Sequence, residues 1–468
     1  LKYKIMITII MKQSLNSEHI LSNRIFFIFK SNHFPDMDNL AVFWFRRDLR
    51  VEDNRALYHA LTSGYKVLPV FIYDTVTLDK LERDDRKMSV LKDCLLKLRE
   101  KLLNAGSNLI TLHGNPVDVL KKLLETYNIK AIYYNRDYEP YALKRDKEVT
   151  DFFTVKGIPC FSFKDRLIFE PDEVLKDDGS PYTMFTPYKN RWLKKLNSDC
   201  IKEYRSQDHL MNCYRTDLSV FLSPEEFGFI CPPTTIKAPL LNREQIRLYN
   251  RNRDYPAIEG TTMLGIHLRF GTLSIREVMR RTIGINPVFT SELIWREFFM
   301  QILYHFPYVT KKSFRPEYDR LEWLNNEEYF RRWCEGRTGV PLIDACMREL
   351  SVTGYMHNRV RMVAANYLTK ILLIDWRWGE AWFALKLLDY ELSSNNGNWQ
   401  WAAGTGCDAV PWFRIFNPDI QAKKFDLESL YIRRWIPEYG TPDYPLPIVV
   451  FSEAREHALK YFRNNIGK

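Results

Sequence analysis

Between residues 40 and 165 the sequence alternates short apolar runs with amphipathic stretches, and this feature limits the fold most. LAVFWF (40–45), KVLPVFIY (66–73), NLITLHG (108–114) and IKAIYYN (129–135) are nearly continuous hydrophobic segments of strand length. That is the pattern of strands buried on both faces. Between them, DNRALYHALTSG, RKMSVLKDCLLKLREKLLNAG and PVDVLKKLLETYN carry helical periodicity, with Asp or Pro at the starts and Gly or Asn at the stops. The alternation predicts a parallel sheet with helices on both faces, a Rossmann-like α/β domain over residues 37–168. No G-x-G-x-x-G follows the first strand, so NAD binding is not expected.

Residues 169–240 are rich in turn formers (KDDGSPYTMFTPY, CPPTTIKAP) and read as an interdomain connector. Helical patterns fill 241–468, which predicts a second, all-α domain, and 468 residues suffice for two cores. Residues 1–36 read as an unstructured upstream extension. Their apolar run, Ile5–Met11, is short for a secretory signal, and no small-residue cleavage site follows. No stretch approaches the roughly 18 apolar residues of a membrane span. Eight cysteines without a C-x-x-C argue against a zinc or iron–sulfur site and for a reducing cytoplasm. The net charge of +10 suits a polyanionic partner.

Ten of the 12 tryptophans lie from Trp295 onward. Two of them fall in SSNNGNWQWAAGTGCD (393–408), behind side-chain amides and ahead of Gly-Thr-Gly. Large aromatics, amides and bare backbone in one place suit a flat ligand.

FWFRRDLRVEDNRAL (43–57), TMFTPYKNRW (183–192), RDYPAIEGTTMLGIHLRFGTLSIR (253–276), SELIWREFF (291–299), GYMHNRVRMVAANYLTK (354–370) and SSNNGNWQWAAGTGCDAVPWFRIFNP (393–418) occur in this order. Together they resemble the photolyase/cryptochrome family of flavoproteins, from about residue 40 to 440. The resemblance implies that the helical domain binds FAD. TTMLG (Thr261, Thr262, Met263, Leu264, Gly265) resembles the loop that holds the diphosphate, with Tyr249 upstream. Thr hydroxyls and free N–H groups near a helix start suit a phosphate, although alone this would be an ordinary helix cap. Gly265 stands where many relatives have Ser, and Phe289 where some have Trp; both, with Glu391, belong to the implied cofactor set. Arg361 is implied to lie against the flavin and pair with Asp389, and Asn395 to face flavin N5, where a neutral amide suits the anionic reduced form.

The resemblance also implies a lesion pocket. Glu292 would hydrogen-bond a pyrimidine dimer, protonated between indoles, with Trp295 and Trp401 lining the apolar side. A plain Glu292–Arg296 helix ion pair is the simpler alternative. Asn358, Arg361 and Met362 share one helix face; relatives acting on (6-4) photoproducts carry histidines at the first and third of these positions. Asn358 and Met362 therefore match the cyclobutane-dimer type. Trp399, Trp376 and Trp323 take the places of the electron-transfer chain. Arg253, Arg296, Arg359 and Arg414 resemble DNA-backbone contacts. Glu139, in YYNRDYEP, is a possible contact for an antenna pigment, a folate or a deazaflavin. The implied activity is blue-light-driven repair of cyclobutane pyrimidine dimers in UV-damaged DNA by a cytoplasmic monomer. A cryptochrome-type photoreceptor is the alternative.

Overall fold

The computed structural model describes residues 38–215, 221–234, 236–239 and 241–466; the expected upstream extension lies outside them. Five parallel strands form one sheet: β1 (Leu40–Phe45), β2 (Lys66–Asp74), β3 (Ile110–Gly114), β4 (Ile129–Asn135) and β5 (Cys160–Phe163), in the order β3-β2-β1-β4-β5. The helices that cross between them are α1 (Arg55–Leu61), α2 (Arg86–Asn104), α3 (Pro116–Thr126) and α4 (Pro140–Val155).

Alternation along β1 explains why its sequence is apolar throughout. Ala41, Phe43 and Phe45 enter a core with α1 and α2. Leu40, Val42 and Trp44 enter a second core on the other face, with α3 and α4. The helix starts follow local chemistry, since Asn54, Asp85 and Asn115 each accept a backbone N–H at an N-terminus.

The stretch read as a connector is more than a linker. It carries α5 (Phe185–Lys195), whose Tyr188 and Trp192 are buried in a core shared with the helical region. Trp192 Nε1 donates to Glu297 Oε2 at 2.6 Å, and the Ile168 and Phe169 amides donate to the same carboxylate. Burial pushes Glu297 up to about 7 against these three donors. Further along, Leu222, Phe227 and Phe229 pack on the sheet domain.

The helical region that positions the site comprises α6 (Leu264–Phe270), α7 (Ile275–Thr282), α8 (Pro287–His305), α9 (Glu327–Glu335), α10 (Pro341–Thr353), α11 (Asn358–Lys370), α12 (Trp376–Lys386) and α13 (Leu392–Ala403). No helix among the described residues is long and apolar enough to cross a membrane.

A buried charge network joins the two regions. Asp165, 1% exposed, accepts from Arg50 at 2.6 Å and from Arg276 at 2.8 Å. Asp53, in the left-handed region at φ 44°, takes Arg276 at 3.0 Å and Arg280 at 2.9 Å. Backbone meets backbone beside it: Leu49 N–H donates to Phe270 O, and a Cβ on Gly271 would stand 2.0 Å from Arg47 O.

Candidate active site

His357 starts α11, its Nδ1 accepting the Arg359 N–H at 3.2 Å. The helix then carries Asn358, Arg361 and Met362 along one wall of a cleft. Asn395, Trp399 and Trp401 of α13, the end of α12 and the segment Asp389–Glu391 complete it. The cleft encloses about 570 Å³ of space open to solvent. Gly379 allows α12 and α13 to meet, since a Cβ there would lie 2.1 Å from the Trp399 ring. Trp399 and Trp376 are buried, while Trp323 is half-buried.

Charge is concentrated on one side. Arg361 Nη2 bonds Asp389 Oδ2 at 2.9 Å, and its Nε donates to Met356 O. Asp389 Oδ1 is buried without a hydrogen-bond partner. The TTMLG loop reaches this carboxylate through bare backbone, because a Cβ on Gly265 would lie 2.8 Å from Asp389 Oδ2. Met263, at φ 55°, turns the chain into α6; Leu264 and Thr262 are buried, and the Thr261 hydroxyl lies 3.4 Å from that of Tyr355. Asn395 Nδ2 donates to Glu380 Oε1 at 2.9 Å and to its carbonyl. Burial pushes the Glu380 carboxyl up to about 7, against the pull of that amide. Sequence reasoning missed Glu380; its one signal was an acid in an aromatic helix, WRWGEAWF.

Several of the expected residues have partners of their own. Glu292 and Trp295 do not line the cleft. Glu292 instead pairs with Arg253 at 2.5 Å, so a guanidinium holds the carboxylate expected to meet the dimer. Trp295 stacks on Phe185, centroids 3.6 Å apart. The simpler Glu292–Arg296 pair does not form either. Arg296 turns inward, donating to Arg166 O at 2.8 Å and Glu391 Oε1 at 3.1 Å, at the junction of the two regions. Phe289 is a core residue, edge-on to Tyr249 at 5.2 Å. Arg253 also lies over the Tyr249 ring; Arg359 pairs with Asp254 at 2.7 Å, and Arg414 is exposed beside Phe416. His357, the histidine adjoining this face, is pushed down to about 4 by burial and neighbouring guanidiniums, hence neutral at pH 7.

A second hollow lies at the C-terminal ends of β1 and β4, where the strand order reverses, a usual place for a ligand in an open sheet. Arg46, Arg47, Asp48, Asn135, Asp137 and Arg166 line it. Glu139 stands close by with both carboxylate oxygens bonded to Arg47.

The family model DNA photolyase matches residues 41–206, and the model FAD binding domain of DNA photolyase matches 289–442. The deoxyribodipyrimidine photo-lyase of Vibrio cholerae is 36% identical over 473 residues, covering 92% of this chain and 100% of the relative. The Escherichia coli one is 34% identical over 458 residues, covering 89% and 97%. The chain belongs to the DNA photolyase family. Among solved structures, a class III photolyase from Agrobacterium tumefaciens superposes with TM-score 0.82 at 31% identity, over 94% of this chain and 100% of that one. The archaeal photolyase from Sulfolobus tokodaii, solved with two FAD molecules, gives 0.75 at 34%, covering 91% and 100%. The photolyase cofactor suits the cleft by its donor set. An aromatic wall, side-chain amides, a guanidinium and an orphaned buried acceptor at Asp389 Oδ1 are what a flavin's ring and N–H groups require.

Proposed function

We propose that this protein repairs cyclobutane pyrimidine dimers in DNA under blue light, with FAD held in the cleft between α11 and α13. The observation that carries the reading is one cleft with two chemistries: Arg361, Asp389 and Asn395 suit a flavin, while Asn358, Met362 and Trp401 offer an uncharged surface to a damaged base pair. Reduced FAD supplies the electron that the dimer needs to split. The chain's own part is orientation and charge. The Arg361 guanidinium favours negative charge on a neighbouring ring, and Asp389 keeps that cation compensated when a bound flavin excludes water from the cleft. The neutral Asn395 adds no charge of its own. Damaged bases leave the stack to reach the cleft, and a distorted lesion leaves at lower cost.

Arg253, Arg359 and Arg414 are the residues proposed to meet the DNA backbone. The first two would exchange Glu292 and Asp254 for phosphate as DNA docks. Glu292, once released by Arg253, becomes available to the dimer. The protein is read as a cytoplasmic monomer.

The decisive experiment is repair of a DNA duplex holding one cyclobutane thymine dimer, by reduced protein, in darkness and under blue light, with a (6-4) lesion in parallel. Light-dependent loss of the cyclobutane dimer alone is expected. A fully reduced, flavin-loaded protein that repairs neither lesion would instead be a photoreceptor. That second reading has one observation behind it, a TM-score of 0.79 to a Synechocystis cryptochrome at 25% identity.

Trp376, Trp399 and Trp323 are proposed to carry electrons from the surface to the flavin. Trp376→Phe is expected to abolish the light-driven accumulation of reduced flavin, followed by absorbance with an external reductant. Repair by chemically reduced protein should stay at the wild-type rate. Loss of both would make Trp376 a packing residue.

A further inference from the structure

Lys370, the last residue of α11, is fully buried, and none of the described carboxylates pairs with it. Burial, helped by the Arg414 guanidinium, pushes its ammonium down to about 7. A cation kept in such a place is costly, and its contacts show where it acts. Nζ donates to Pro411 O at 3.0 Å and Arg414 O at 3.3 Å. These carbonyls are the two ends of one tight turn, closed by the Arg414 N–H donating to Pro411 O at 3.0 Å. One helical turn back, the fully buried Asn366 grips the same segment: Nδ2 donates to Arg414 O at 3.3 Å, and Oδ1 accepts the Phe416 N–H at 2.8 Å. The outer side of the turn displays Phe413, 59% exposed, beside the exposed Arg414.

We propose that Lys370, with Asn366, is a positioning residue that fixes the Pro411–Arg414 turn in the attitude needed to dock damaged DNA. This rests on the repair reading only in naming DNA as the partner. The helix that lines the cleft at its start thus holds the docking turn at its end.

The test exploits the hydrogen-bond inventory. In Lys370→Met both carbonyls keep a donor, Arg414 N–H for one and Asn366 Nδ2 for the other, so no acceptor is orphaned. Removing a buried unpaired cation should leave the melting temperature unchanged or raised. The experiment uses FAD-loaded full chain, hydrogen exchange of the amides of 412–416, and the Kd for a duplex containing one cyclobutane thymine dimer. The expected result is faster exchange at those amides, an unchanged flavin spectrum and roughly ten-fold weaker binding, the scale of re-ordering a loosened segment on association. Unchanged exchange, or loosened exchange with unchanged Kd, would overturn the proposal. A weaker Kd accompanied by a lower melting temperature would also overturn it. Lys370→Gln, which keeps a shorter donor, is the second variant, expected to fall between. Wild-type protein that ignores the lesion would count against the repair reading, while the exchange measurement still judges the clamp.

Discussion

Asp389→Asn is expected to weaken FAD binding roughly 10- to 100-fold, the loss of a charge-assisted hydrogen bond expressed as affinity. Asp389 answers Arg361 at 2.9 Å and holds a second, unpartnered oxygen in the cleft. The asparagine keeps the shape but leaves the guanidinium without its carboxylate. Flavin titration of the apoprotein reads the change, and far-UV circular dichroism should show the helices intact. An affinity within two-fold of wild type would mean that the pair is a packing feature unrelated to the cofactor.

Asp165→Asn is expected to cost about 3–5 kcal/mol of stability, because it strips the shared carboxylate from two buried guanidiniums. That is a large part of the total for most proteins, roughly 5–15 kcal/mol. Arg50 would keep only carbonyl acceptors, while Arg276 would retain Asp53. Urea unfolding of purified protein measures it. The acid limb gives an independent reading. Burial pushes the Asp165 carboxyl up, but Arg50 and Arg276 outweigh it and hold it down at about 2, below its ordinary 3.8. A carboxylate depressed in the folded state contributes its full stability above the unfolded value and loses it as pH falls through the folded one. Wild-type protein should therefore lose stability between about pH 4 and 2, and the variant should lack that part of the slope.

The sheet was legible because each strand is buried twice, so LAVFWF and its companions could be nothing else. The helix inside the connector was hidden for the opposite reason. Phe185–Lys195 follows a Gly- and Pro-containing stretch and has neither an acidic first turn nor a side-chain cap. Its burial comes from Trp192 meeting Glu297, over a hundred residues away.

The same distance effect governs the site. The pairing of Arg361 with Asp389 was suggested by resemblance, not by spacing. The partner of Arg296 was not legible because spacing offers only its own helix, whereas the carboxylate that it meets, Glu391, comes from a different element. Glu380 and Lys370 went unseen since charged residues within helices ordinarily mark the solvent side. What a sequence cannot display is a polar group whose partner is brought by the fold.

The junction carries an evolutionary consequence. Glu391 at the cleft shares Arg166 with Asp137 of the sheet domain, and Asp165 shares Arg276 with Asp53. A mutation that neutralises one member leaves a buried charge under-compensated, and across the Arg276 and Glu391 links the compensating change lies in the other half. The two halves are therefore bound to a common history: a chimera joined near residue 165 inherits mismatched ions unless both parents carry the same set, and substitutions at 53, 137 and 165 should travel with those at 50, 166 and 276.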